Sequence, residues 1–312
     1  MAKQPKDHHH QPRPSMVKSK YIGVLLVLIF LLTLGVRLYY TAQAPTFTGD
    51  QAYYTLRQVE HITKHATPII DDPLSYGGTT TIVQPIYYYI LALFSLFLPM
   101  TVVAKLLPNL FAASLVIIVY YITKDLTQDK EAALLSAFSA GFIPLFFAET
   151  TNTISVYTII FPLFFYMVYC FYHTWEGNEG QTKKKQGNQQ SYVYQFVLLF
   201  LLLTLMHSIT IVFLVALTIY FILLKLEKLK REKVEKELYL FSGFLFLWTQ
   251  LVLFKKALLM HGSGIIWQNI PEGIFANYFK SIPLGAILPL LGIVTVMYGI
   301  YSLYHHLFTV KH

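Results

Sequence analysis

The chain has 312 residues, of which 55% are hydrophobic and only 13% are charged. A soluble protein of this size needs about 25% charged residues to cover its surface, so the composition excludes a soluble globular protein. The formal net charge of +8 lies in short runs beside apolar segments, as membrane topology requires, and we therefore predict no nucleic-acid partner. The single cysteine, Cys170, excludes an intrachain disulfide and a cysteine-based metal or redox centre.

The N-terminal 20 residues form a basic tail with five lysines and arginines, which we expect on the cytoplasmic side. The first apolar segment, residues 21–40, follows directly and is interrupted only by Arg37 near its far end. A helix of about 20 residues rises roughly 30 Å, which is the thickness of the hydrocarbon core. The chain therefore enters the membrane here, and residues 21–312 form the predicted membrane domain.

Further apolar segments recur along the chain, and most of them are long enough to cross a bilayer. They lie at 106–123, 132–148, 154–173, 192–207, 209–224, 239–254 and 283–303. A shorter apolar segment at 84–99 is bounded by prolines at both ends. The predicted fold class is an all-α polytopic membrane protein of about eight transmembrane helices.

The lysines and arginines of the later loops decide whether residues 84–99 cross the membrane. Eleven of them, at positions 124, 130, 183–185, 225, 228, 230, 231, 233 and 236, share the side of the N-terminal tail only if 84–99 does not cross. Cytoplasmic loops are enriched in such residues, so 84–99 is predicted to be a juxtamembrane helix. This topology predicts a plasma-membrane protein with both termini in the cytoplasm and a long outer loop over residues 41–105.

The outer loop begins with an acid, Asp50, that directly precedes a helical pattern. Apolar residues at 53, 56, 59 and 62 recur at helical spacing, which predicts a short amphipathic helix beginning just after Asp50. A carboxylate at a helix N-terminus is favoured in its charged form. Asp50 is therefore either a helix cap or an acid available for chemistry at the membrane surface.

Several motifs in this region resemble one known family. They are Asp50 after the first span, Tyr-Tyr-x-Leu-Arg-x-Val-Glu at 53–60, Asp-Pro-x-x-Tyr-Gly at 72–77, Gln-Pro-Ile-Tyr-Tyr-Tyr at 84–89 and Lys-Leu-Leu-Pro-Asn-Leu at 105–110. In this order they resemble the C-type (GT-C) membrane glycosyltransferases, and most closely archaeal relatives of the oligosaccharyltransferase catalytic subunit. The resemblance covers roughly residues 20–175 and implies a GT-C-like helical bundle with juxtamembrane helices in the first outer loop.

The resemblance also implies roles for two acids. The acid of the first outer loop in this family is the catalytic base or a metal ligand, and that position is Asp50 here. A second acidic motif follows the third span, usually as two carboxylates separated by one residue, and only Glu149 occupies it in this chain. Asp50 and Glu149, with Asn152 as a neutral oxygen ligand, are the candidates for holding Mn²⁺ or Mg²⁺.

Other residues are candidates for contacting the substrate. Arg57 lies in the first loop, and His207 lies in a tight outer turn where it is either a hydrogen-bonded structural residue or a contact for phosphate or sugar. Lys255 and Lys256 suit a phosphate, although lysines at a helix end also reach lipid headgroups without a specific ligand. Trp267 is the aromatic candidate for packing against a sugar ring.

The predicted function is transfer of a sugar, with inversion, from a polyprenyl-phosphate donor to an acceptor on the outer membrane face. Membrane lipid and the polyprenyl-linked donor are the expected partners. An inactive GT-C-like scaffold is the alternative, because Glu149 is a lone acid and the Trp-Trp-Asp-Tyr-Gly motif of the acceptor-binding soluble domain is missing. A transporter or flippase is disfavoured, because the spans from 106 to 254 contain almost no charge.

Overall fold

A computed structural model describes residues 19–72, 74, 79–80, 84–175, 183–228 and 233–262. The helices are α1 (Ser19–Gln43), α2 (Asp50–His65), α3 (Ile86–Ser95), α4 (Met100–Thr127), α5 (Lys130–Gly141), α6 (Pro144–Thr150), α7 (Tyr157–Trp175), α8 (Lys183–Met206), α9 (Thr210–Leu226) and α10 (Lys233–His261). Two-residue strands, β1 (Asp71–Asp72) and β2 (Thr79–Thr80), pair antiparallel within the first loop. The predicted all-α class is confirmed.

Three of these helices are long and apolar enough to cross a membrane, over Tyr21–Gln43, Met100–Thr127 and Val234–Lys255. The pair α5 and α6 would make a fourth span if its two halves cross together. The apolar parts of α8 and α9 are shorter, and four tyrosines and a histidine lower the hydropathy of α7. Residues 283–303 lie outside the described part of the chain, so the eight-span arrangement stays a prediction.

The segment predicted as one span over 132–148 is broken. α5 ends at Gly141, α6 begins at Pro144, and the two helices are bent by 42°. Proline has no backbone N–H and its ring clashes with the preceding turn, so a helix readily restarts at this residue instead of passing through it.

α3 covers ten residues of the 84–99 segment and is about 15 Å long, half of what a crossing needs. It packs on α2, where the Ser95 and Thr63 hydroxyls are 3.1 Å apart and the Tyr89 hydroxyl donates to the Ala66 carbonyl at 3.0 Å. A juxtamembrane position for this helix is consistent with both observations.

The exposed face of α1 is apolar. Val24, Val27, Leu28, Leu31 and Leu32 are each at least half exposed. In water such a continuous apolar stripe would be unfavourable, whereas lipid tails cover it at no cost. The opposite face of α1 packs on α4 and α5, and the close approach to α5 occurs where Gly141 faces Thr33.

Six helix termini meet at one end of the bundle, which we call the loop end. α1, α6 and α8 end there, and α4, α7 and α9 begin there. The contacts that join them are Lys105 to the Ala44 carbonyl, the Thr48 amide to the Asn152 carbonyl, the Tyr157 ring to the His207 ring and the Thr204 hydroxyl to the Thr210 hydroxyl. Residues from 254 onward form a second compact unit, of which the structure describes 254–262.

Candidate functional site

A clamp between the first loop and the α6–α7 connection organises the loop end. The Thr48 amide donates to the Asn152 carbonyl at 3.0 Å. The Asn152 side-chain amide donates in return to the Thr46 carbonyl at 2.9 Å and to the Thr48 hydroxyl at 3.2 Å. Asn152 has a φ of 56°, a left-handed conformation that asparagine tolerates better than most residues. The segments carrying Asp50 and Glu149 are therefore tied together two to three residues from each acid.

Asp50 is the first residue of α2 and is exposed. The N-cap is Gly49, whose φ of 82° favours glycine, so the capping role considered for Asp50 is not formed. Its carboxylate has no hydrogen bond or ion pair with any described residue, and the same holds for the exposed carboxylate of Glu149. Both acids are thus free to meet a ligand from outside.

α2 forms where predicted, but its buried face differs from the predicted one. The buried residues are Ala52, Thr55, Gln58, Val59 and Ile62, whereas Tyr53 is nearly half exposed and contacts the Phe47 ring edge-on. Thr55 and Gln58 can be buried because backbone groups of other segments satisfy them: Thr55 donates to the Ile154 carbonyl, and Gln58 bonds both backbone groups of Ile69. This face holds α2 against the α6–α7 connection.

Arg57, a predicted substrate contact, is engaged within the loop. Its guanidinium forms a two-point ion pair with Asp72, at 3.0 Å from Nη1 to Oδ2 and 2.5 Å from Nη2 to Oδ1. Asp72 is buried and also accepts the Leu74 amide at 3.0 Å. The pair anchors strand β1 to α2 and uses two of the five N–H donors of Arg57.

His207 lies at the loop end, beside the ring of Tyr157 at 5.2 Å. Its Nδ1 accepts the Ile209 amide at 3.1 Å, which places the proton of the neutral ring on Nε2. Partial burial lowers the pKa of His207 below its usual value. The ring is therefore a neutral donor at pH 7, suited to a hydrogen bond with a phosphate or sugar oxygen.

The remaining predicted contacts belong to the second compact unit. Lys255 is exposed near the end of α10. The side chain of Lys256 and all of Trp267 lie outside the described residues.

Few of the described side chains could bind a divalent metal. No group of three or more His, Cys, Asp and Glu side chains gathers within the described ranges. Two buried oxygens close to Glu149 have no hydrogen-bond partner, namely Thr151 Oγ1 and Asn152 Oδ1. Mg²⁺ and Mn²⁺ prefer carboxylates with several further oxygens, and these residues do not form such a set. No chemical step is assigned to a metal.

Sequence analysis did not assign a role to Arg37, although its position inside an apolar segment was the signal. The side chain is fully buried, with Nε donating to Asn109 Oδ1 at 3.2 Å and Nη2 donating to the Thr150 hydroxyl. Its guanidinium also lies over the Phe146 and Phe147 rings, at 5.5 and 5.1 Å. Arg37 thus joins α1, α4 and α6, and its partner Thr150 directly follows Glu149 in the chain.

Neither protein-family models nor curated proteins show a match to this chain. The resemblance of the motifs and the arrangement at the loop end are therefore the basis for a functional proposal.

Proposed function

We propose that this protein is a GT-C-type membrane glycosyltransferase that moves a sugar from a polyprenyl-phosphate donor to an acceptor, with Asp50 as the base. The observation that carries the proposal is the clamp between Thr48 and Asn152, because it joins the two segments that bear the free acids Asp50 and Glu149. His207 lies at the same end of the bundle and offers a neutral N–H donor.

In this mechanism Asp50 accepts the proton of the acceptor nucleophile as it attacks the anomeric carbon. The bond from that carbon to the donor phosphate oxygen breaks, the phosphate leaves with the electron pair, and the configuration inverts. His207 Nε2–H donates to an oxygen of the leaving phosphate. General-base assistance of this kind is worth about 10²–10⁴ in rate. Lys255, Lys256 and Trp267 are further proposed contacts for the donor.

The proposal includes a location. The loop end faces outward from the plasma membrane, both termini are cytoplasmic, and the donor's lipid tail lies among the helices in the bilayer. A carboxylate at the start of α2 then meets a lipid-linked donor from the membrane side and an acceptor from the aqueous side. This placement follows from the lysines and arginines of the predicted cytoplasmic loops.

The test is transfer by the reconstituted, purified protein across a panel of polyprenyl-phosphate sugars and acceptors. Asp50→Asn should reduce transfer by about 100-fold or more while the protein still inserts and folds. Glu60→Gln is the matched control, because Glu60 is an exposed acid on the same helix whose ion pair is with Lys64. An Asp50→Asn variant that keeps more than about a tenth of the rate would remove Asp50 from the role of base.

The same assay tests whether transfer depends on a divalent metal and whether the protein is instead an inactive scaffold. Mn²⁺, Mg²⁺ and a chelator are compared in the wild type and in Glu149→Gln, and stimulation that Glu149→Gln abolishes would assign a cation to this acid. Glu149 stands alone where the GT-C family usually has two acids, and this favours the second candidate, an inactive scaffold. A wild-type protein that transfers no sugar from any donor in the panel would support that candidate.

A further inference from the structure

The first span contains a buried cation that the proposed chemistry does not use. Arg37 is 0% exposed and forms no ion pair with any acid in the described part of the chain. Its polar neighbours, Asn109 and Thr150, are both neutral. A charged side chain within a membrane helix is costly and usually has a binding or transport role.

The hydrogen bonds of the guanidinium are incomplete. Nε and Nη2 have partners, but Nη1 is enclosed by protein and has none among the residues that the structure describes. A buried donor without an acceptor destabilises the fold, because the group has lost its water without replacement. The position of Nη1 therefore leaves a place for an acceptor that none of the described residues supplies.

The electrostatics favour an anionic acceptor. A second cation, Lys105, lies one turn before Asn109 on α4, and its ammonium group donates to the carbonyls of Thr41 and Ala44 at 3.2 and 2.8 Å. These partners are neutral carbonyls, so neither cation forms an ion pair with a described carboxylate. The planar guanidinium fork matches the oxygens of a phosphate group.

α6 supplies the aromatic rings that cover the guanidinium, namely Phe146 and Phe147. Phe147 also packs edge-on against Tyr40 of α1 at 6.0 Å. α6 has only seven residues and is set off from α5 by the 42° bend, and its Leu145 is 73% exposed. A tilt of this helix of about two turns would open Arg37 to a lipid.

We propose that Arg37 binds a phosphate ester, the charged group of a membrane lipid that reaches it beside α6. This inference deepens the proposed function. It rests on that function in one respect, because it takes this lipid to be the polyprenyl-phosphate donor. The bound phosphate would then lie next to Thr150, the neighbour of Glu149 in the chain.

The experiment measures binding of polyprenyl phosphate without a sugar, of phosphatidic acid and of inorganic phosphate to the full chain in nanodiscs. Arg37→Gln removes the charge but keeps an amide for Asn109 and Thr150, and Arg37→Lys keeps the charge without the fork. Lys124→Met is the matched control, because it removes one positive charge at the other end of α4. We expect Arg37→Gln to weaken lipid-phosphate binding at least about tenfold, Arg37→Lys to lose less, and Lys124→Met to match the wild type.

Unchanged lipid-phosphate affinity in Arg37→Gln would overturn the proposal and leave Arg37 as a purely structural group. If Arg37→Gln does not fold, Arg37→Lys decides, because loss of the fork must still lower the affinity. Competition by millimolar inorganic phosphate would overturn the lipid source in favour of a soluble phosphate. Binding of phosphatidic acid without polyprenyl phosphate would support the anion site and count against the proposed donor, so the two proposals fail separately.

Discussion

Asp50 and Arg57 lie two turns apart on the same short helix, yet the fold leaves one free and pairs the other. Asp50 is exposed at the first turn, whereas Arg57 pairs with the carboxylate of Asp72, fifteen residues further along the chain. The sequence alone does not show whether the partner of an arginine is a substrate or another residue of the same chain. The pair with Asp72 therefore makes Arg57 first of all a determinant of loop structure.

This pair can be tested by a double-mutant cycle in which unfolding in detergent is measured. Arg57→Met leaves the Asp72 carboxylate, which is 7% exposed, without its partner, and we expect a loss of about 1–2 kcal/mol. Asp72→Asn in the same chain should restore at least half of that loss, because no buried charge is then unpaired. Equal stability of the single and double variants would show that the ion pair does not hold the loop.

His207 gives a prediction for the pH dependence of stability. Its pKa in the folded protein is lowered by burial, whereas in the unfolded chain it is about 6.5. The unfolded state therefore takes up a proton first, so stability is complete above about pH 6.5 and is lost as the pH falls towards the lowered pKa. Protonation at Nδ1 would also break the bond from the Ile209 amide.

The measurement compares melting temperatures of the wild type and His207→Asn between pH 7.5 and 5. Asparagine offers an oxygen to the Ile209 amide but does not titrate in this range, so its melting temperature should fall less on acidification. Identical pH profiles of the two proteins would show that His207 is not responsible for any acid sensitivity.

At the scale of elements, the packing of α1 against α5 depends on a glycine. A Cβ at Gly141 would overlap the Thr33 hydroxyl and lie 3.1 Å from both Thr33 Cγ2 and Val116 Cγ2. Both neighbours are β-branched, so neither can turn away freely. The glycine therefore allows α5 to pack closely on α1 and α4 at this point.

Gly141→Ala should destabilise the protein by about 1–3 kcal/mol, as expected for overpacking in a helix interface. Gly35→Ala is the matched control, because Gly35 is also in a helix and a Cβ there would meet nothing within 4 Å. That variant should be neutral or gain up to about 1 kcal/mol from the better helix propensity of alanine. Thermal unfolding of both variants in the same detergent provides the comparison, and equal effects would contradict the close packing.

At the scale of the whole molecule, the candidate site and two basic residues lie at different ends of the helices. The loop end gathers the candidate site, while Lys124 and Lys130 lie at the opposite ends of α4 and α5. If the positive-inside rule holds here, the loop end faces outward.

Accessibility labelling in intact cells tests this orientation. Single cysteines at the exposed positions Thr48 and Lys130 are introduced with Cys170→Ser, which removes the one native thiol. A membrane-impermeant maleimide should label position 48 directly and position 130 only after permeabilisation. Labelling of position 130 in intact cells would invert the topology and place Asp50 in the cytoplasm.

The sequence by itself was sufficient for the class of protein and for most helix positions. Apolar runs separated by polar loops predict membrane helices because each peptide group in the bilayer must bond within its own segment. The shortness of α3 was predictable from the prolines that bound its segment, whereas its juxtamembrane position stays a prediction from the lysines of the later loops. The candidate acids Asp50 and Glu149 were visible as isolated charges at the ends of apolar segments.

Only the tertiary structure decided what the polar side chains do. Thr55 and Gln58 lie on the buried face of α2, and Arg57 pairs with Asp72. Arg37 is enclosed among α1, α4 and α6. A buried polar group is acceptable wherever the fold supplies a partner, and those partners come from segments up to 113 residues away in the chain. Hydrophobic periodicity reports burial along one element, whereas hydrogen-bond partners are set by which elements meet.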